Sequence, residues 1–145
     1  MAVSEIPPAT LRVPADQVEA IVKRVVEGND TDLVAVYLFG SVARGEARDD
    51  SDVDVAVLFG RRPQTLKDLP NALTAELERC LGWPVEVIPL DDGEPDLIHR
   101  VLNEGRLVHE RDRSARIRFE VAGRNAYWDL EPHLRRYRRQ QGRTQ

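Results

Sequence analysis

The chain has 145 residues, 41% of them apolar and 32% charged, with a net charge of −4. This is the length of one ordinary domain and the composition of a folded globular chain; the acid excess argues against general nucleic-acid binding through the whole surface. The single cysteine, Cys80, excludes an internal disulfide and a cysteine-built zinc site, and no apolar run approaches the ~18 residues of a membrane helix. With no basic-then-apolar leader pattern at the start, a cytoplasmic location is the expectation.

Residues 1–14 carry three prolines and little periodicity, which suits an extended lead-in. From Asp16 to Gly28, Val18, Ile21, Val22, Val25 and Val26 recur at the spacing of one helix face, and Gly28-Asn29 is a natural stop. Leu33 to Phe39 is an unbroken apolar run, too short for a helix, and reads as a central strand buried on both faces. Val53 to Phe59 reads as a second strand, ended by the turn at 60–63. Leu66 to Leu81 has a helical apolar stripe that includes Cys80, although Pro70 moves the true start towards Leu69. Val85 to Leu90 is a third strand. Pro95 opens a helix that carries Leu97, Ile98, Val101 and Leu102 on one face and stops at Gly105. Arg106 to Glu110 suits a short fourth strand, and Ala115 to Arg139 a long helix interrupted or bent near Pro132.

The fold class is therefore α/β (α+β): a small mixed sheet flanked by helices in two or three layers, with a C-terminal helix. The expected division is a lead-in over 1–14, a domain over 15–112, and a helix with a basic tail over 113–145. Periodicity leaves open whether the first two strands run antiparallel or through a tight crossover. Five arginines and no acid lie between His133 and Gln145, which marks an interaction tail or a solvated helix end.

The chemistry concentrates between residues 39 and 59. Alternation along a strand points Asp52 and Asp54 to the same side while Val53, Val55 and Val57 enter the core. Two carboxylates on one face repel each other unless cations compensate, and hard oxygen ligands suit Mg²⁺. Glu86, the lone charge in an apolar strand, is the best third acid; Asp91 and Asp92 are weaker candidates. Gly40-Ser41 offers a backbone that approaches a phosphate closely, a hydroxyl, and the N–H groups of the following short helix, with Arg44 one turn on. Gly45 lets the chain turn away. Ser51 suits a role in orienting the loop, and Glu46, Arg48, Asp49 and Asp50 suit its solvated surface. His99, His109 and His133 share no ligand spacing.

The pattern Gly40-Ser41-x-x-Arg44-Gly45-x5-Ser51-Asp52-x-Asp54 resembles the defining motif of the polymerase-beta-like nucleotidyltransferase superfamily. The small size resembles its minimal nucleotidyltransferases (MNT), many of which are antitoxins paired with HEPN-domain ribonuclease toxins. The resemblance covers residues 33 to 110, and the Tyr127–Pro132 stretch is similar to the ends of such antitoxins. It implies a nucleotidyltransferase fold, with ATP as substrate and its triphosphate on Gly40, Ser41 and Arg44. It implies two Mg²⁺ ions on Asp52, Asp54 and Glu86, and transfer of AMP to a tyrosine of a HEPN-type toxin partner. The family usually has Asp as its third acid, so Glu86 is a departure of one methylene that bears on activity more than on metal or nucleotide binding.

Few residues follow residue 110, so an acceptor brought by a partner protein fits better than a built-in small-molecule pocket. Trp128 and the arginines suit docking, although Tyr127 and Trp128 suit packing on the chain's own core more readily. Two alternatives stand beside transfer to a toxin: a non-catalytic antitoxin that acts by occlusion, and a small-molecule (antibiotic) nucleotidyltransferase. A homo-oligomer is also compatible with the sequence. A P-loop kinase is excluded by the lack of a Gly-rich loop ending in Lys-Ser/Thr.

Overall fold

Two strands with almost no polar side chain must lie where water does not reach, and the computed structural model places them at the centre of one sheet. It describes residues 14–28, 33–48, 51–59 and 69–143. β1 (Ala35–Phe39) is buried at every position, and β2 (Val53–Leu58) at every position but Asp54. The two pair antiparallel, with Ala35 opposite Leu58 and Phe39 opposite Asp54. The link left open by periodicity is thus a reversal, made through α2 (Gly40–Ala43) and a short loop.

β4 (Arg106–Glu110) pairs antiparallel with the other side of β1, and β3 (Val85–Pro89) pairs parallel with β2, which gives the mixed order β3-β2-β1-β4. A parallel pair cannot be joined by a hairpin; α3 (Leu69–Leu81) lies in the crossover. Side-chain alternation then divides the core. Val36, Leu38, Val53, Val55 and Val57 pack on one face with valines of α1 (Ala15–Gly28) and with Leu73 and Leu77 of α3. Ala35, Tyr37, Phe39, Ala56 and Leu58 pack on the other, against Ile98 and Val101 of α4 (Pro95–Glu104) and Phe119 of α5 (Arg113–Arg143). The result is three layers, and Asp54 belongs to the face covered by α4 and α5.

Cys80 is half-buried at the edge of the α1/α3 core. α5 runs through Pro132 without the interruption that the sequence allowed as one of two outcomes. Pro132 is exposed and lacks an N–H donor, yet the helix continues on either side of it. Residues 1–13, Asn29, Asp49, Asp50, the turn at 60–63 and Leu66 lie outside the described residues. Of the tail arginines, Arg136 has a described side chain, and it is exposed. No described helix is long and apolar enough to cross a membrane.

Candidate active site

The site forms where β1 ends and β2 and β3 begin. The chain leaves β1 at Gly40 with φ of 78°, a left-handed conformation that glycine adopts without steric cost. A Cβ at this position would collide with the carboxylate of Asp54. Gly40 is therefore needed for its conformation and for its missing side chain, and its backbone lies directly against the acid. Ser41 follows, partly exposed, in a four-residue helix that no side chain caps.

Arg44 leaves the end of this helix between two carboxylates. Its Nε donates to Glu46 at 3.2 Å and its Nη1 to Glu104, at the end of α4, at 3.0 Å. The loop that leads into β2 is fixed by Ser51: the N–H of Arg48 donates to Ser51 Oγ at 2.9 Å, and the N–H of Ser51 donates back to the Arg48 carbonyl at 3.0 Å. The indole N–H of Trp83 donates to the Ser51 carbonyl. The residue before Asp52 is thus held from both sides.

Asp52 is exposed, one position before β2. Asp54 is half-buried within it. Glu86 is exposed on β3 and stands opposite Asp54 in the parallel register. Burial, then the charges of Glu86 and Asp52, and a side-chain hydrogen bond to Glu86 push the Asp54 carboxyl up to about 6, against the opposing charge of Arg100. The parallel register thus sets Glu86 alongside Asp54, and Asp52 lies two residues before it. Among the described residues, however, no three His, Cys, Asp or Glu side chains already surround a common point. Carboxylates at this spacing repel and stay apart until a cation draws them in. The donor set, all carboxylate oxygen, fits a hard divalent ion such as Mg²⁺. Asp91 is not part of the group: it follows the far end of β3 and accepts the Phe59 N–H at 2.9 Å. His99 is stacked on Tyr127 at 3.6 Å between ring centroids, a packing role.

Three residues of this region carry no signal in a strand or motif pattern. Trp83 braces Ser51, Glu104 holds Arg44, and the Arg100 guanidinium lies 5.7 Å from the centroid of Phe39, the residue before Gly40. Arg100 and Glu104 are one helical turn apart, and both line an open cleft of about 380 Å³ along α4.

The family model described as "Polymerase beta, Nucleotidyltransferase" matches residues 21–114 of the chain. The chain belongs to this family and is by membership a nucleotidyltransferase. It is 43% identical, over 67 residues, to a candidate protein adenylyltransferase from Methanocaldococcus jannaschii; these residues make up 46% of this chain and 70% of that one. It is 39% identical, over 69 residues, to protein adenylyltransferase MntA from Thermococcus cleftensis, covering 48% of this chain and 68% of that one. Its fold matches a chain in a structure of the tri-AMPylated Shewanella oneidensis HEPN toxin in complex with MNT antitoxin. The TM-score is 0.65 at 20% identity, over 85% of this chain and 94% of that one.

Proposed function

We propose that this chain transfers AMP from ATP to a hydroxyl of a partner protein, a tyrosine of a HEPN-type toxin, and so acts as its antitoxin. The observation that carries the proposal is the contact of Gly40 with Asp54, which puts a phosphate-approaching backbone and a carboxylate group at one point. The names of the curated relatives support the adenylyl group, and the Shewanella complex supports the kind of partner.

In this reading Gly40 and Ser41 receive the β and γ phosphates, and Arg44 adds the N–H donors that Glu46 and Glu104 leave unused. Asp52, Asp54 and Glu86 would hold Mg²⁺. Two bound ions would neutralise phosphate charge and ease deprotonation of the incoming hydroxyl. Glu86, exposed beside Asp54, receives the acceptor proton as the acceptor oxygen bonds to the α-phosphorus and the bond to pyrophosphate breaks. Catalysis rests on positioning and on charge. Residues 15–112 form the transferring unit. Residues 113–145 present Trp128, 63% exposed, to the partner.

The test is incubation with α-labelled ATP, Mg²⁺ and the partner toxin. Label is expected on the toxin, and it is expected to vanish with Asp52→Asn, with Asp54→Asn, or on chelation of the metal. Neutralisation of the toxin that survives both substitutions would establish occlusion instead, a reading favoured by Glu86 in place of the usual Asp.

A further inference from the structure

The motif arginine does not bring an unopposed charge to the site. Arg44 is bonded to Glu46 and Glu104, so these three residues together carry one net negative charge. Asp52, Asp54 and Glu86 stand beside them. A triphosphate entering this end of the sheet meets carboxylates on two sides and gains from any further cation that can reach it.

Arg100 is such a cation. It is exposed and forms no salt bridge among the described residues, and its guanidinium lies over Phe39, which is followed by Gly40 and paired with Asp54. A cation–π contact with a buried ring holds the guanidinium there and leaves its N–H groups free to donate. Glu104 lies four residues further along α4, on the same face, and its ion pair with Arg44 ties the helix to the end of α2. The motif arginine and Glu104 thereby fix where Arg100 stands.

We propose that Arg100 binds the terminal phosphates of the nucleotide, and that the Arg44–Glu104 ion pair positions α4 for this contact. The proposal rests on the transfer reading above. It adds a phosphate ligand that comes from α4, sixty residues after the Gly-Ser turn.

The experiment measures the affinity of the intact chain for non-hydrolysable ATP and for AMP, both with Mg²⁺ and with no acceptor present. Loss of one charge-assisted contact in Arg100→Gln should weaken ATP binding by about tenfold. AMP, which lacks the terminal phosphates, should bind nearly as before, and Arg100→Lys should recover part of the ATP affinity. Glu104→Gln should weaken ATP binding by a smaller factor, with melting temperature little changed. Unchanged ATP affinity in Arg100→Gln, including the case where only the acceptor KM rises, would overturn the proposal, and so would equal weakening of ATP and AMP. Failure of the wild-type chain to bind ATP would overturn the transfer reading and this proposal with it.

Discussion

At the scale of single residues, Gly40 and Asp54 impose conditions on each other. An alanine at residue 40 meets both a left-handed backbone and the Asp54 carboxylate. We expect Gly40→Ala to cost about 2–3 kcal/mol in a urea melt and to abolish ATP binding. A variant as stable as wild type would show that the turn relaxes freely. Asp54 carries a linked pH effect in the metal-free chain. Its folded-state carboxyl titrates at about 6, above the ordinary carboxylate value, so the folded chain holds this proton more tightly than the unfolded one. The contribution of this group to stability therefore falls as pH rises from about 4 towards 6 and stays low above that range. Asp54→Asn should stabilise the metal-free chain at pH 7 on the order of 1 kcal/mol, a value discounted for the half-exposed carboxylate, and should do little near pH 4. Urea melts at the two pH values check this; equal differences at both would contradict it.

At the scale of elements, the anchoring of α5 depends on a short polar chain at the sheet surface. The Tyr37 hydroxyl donates to Glu120 at 2.7 Å, and Arg116 donates to both Glu120 and Glu110 at 2.6 Å. Burial pushes the Glu120 carboxyl up, but the Tyr37 hydroxyl and Arg116 outweigh it and leave the group below the usual range. Removing Arg116 leaves a carboxylate only 14% exposed, with Arg124 at 3.5 Å as its remaining cation. Arg116→Ala should cost about 2 kcal/mol, and Tyr37→Phe, which removes one neutral donor, about 1 kcal/mol. Chemical denaturation orders the two; equal or reversed costs would show that packing, not this chain of bonds, holds α5. The strands, the helix faces and the place of Asp54 on the side of β2 away from Val53, Val55 and Val57 were legible in the sequence because burial repeats every second residue in a strand and on one face of a helix. The pairing of Arg44 with Glu104 and the approach of Arg100 to Phe39 were not. Each joins residues sixty or so apart, and periodicity states which side is buried, not what stands opposite. The passage of α5 through Pro132 was hidden for a related reason: the local cost of proline is visible in sequence, whereas the neighbouring turns that offset it are not.

At the scale of the whole molecule, the sheet order sets the site at one end and the basic helix beside it. β1 and β2, reversed at Gly40, deliver the Gly40-Ser41 turn and two acids within a stretch of fifteen residues from Gly40 to Asp54, and the parallel β3 adds Glu86 alongside. Asp54 lies on the face that α4 and α5 cover, so both helices border the side of the sheet that carries this acid. Whether the chain acts on a partner toxin by transfer or only by contact is decided most directly by the intact mass of the toxin after co-expression. With the wild-type chain we expect toxin that carries AMP and is inactive; with Asp54→Asn we expect unmodified, active toxin. Unmodified toxin that is nonetheless neutralised by the wild-type chain would contradict the account.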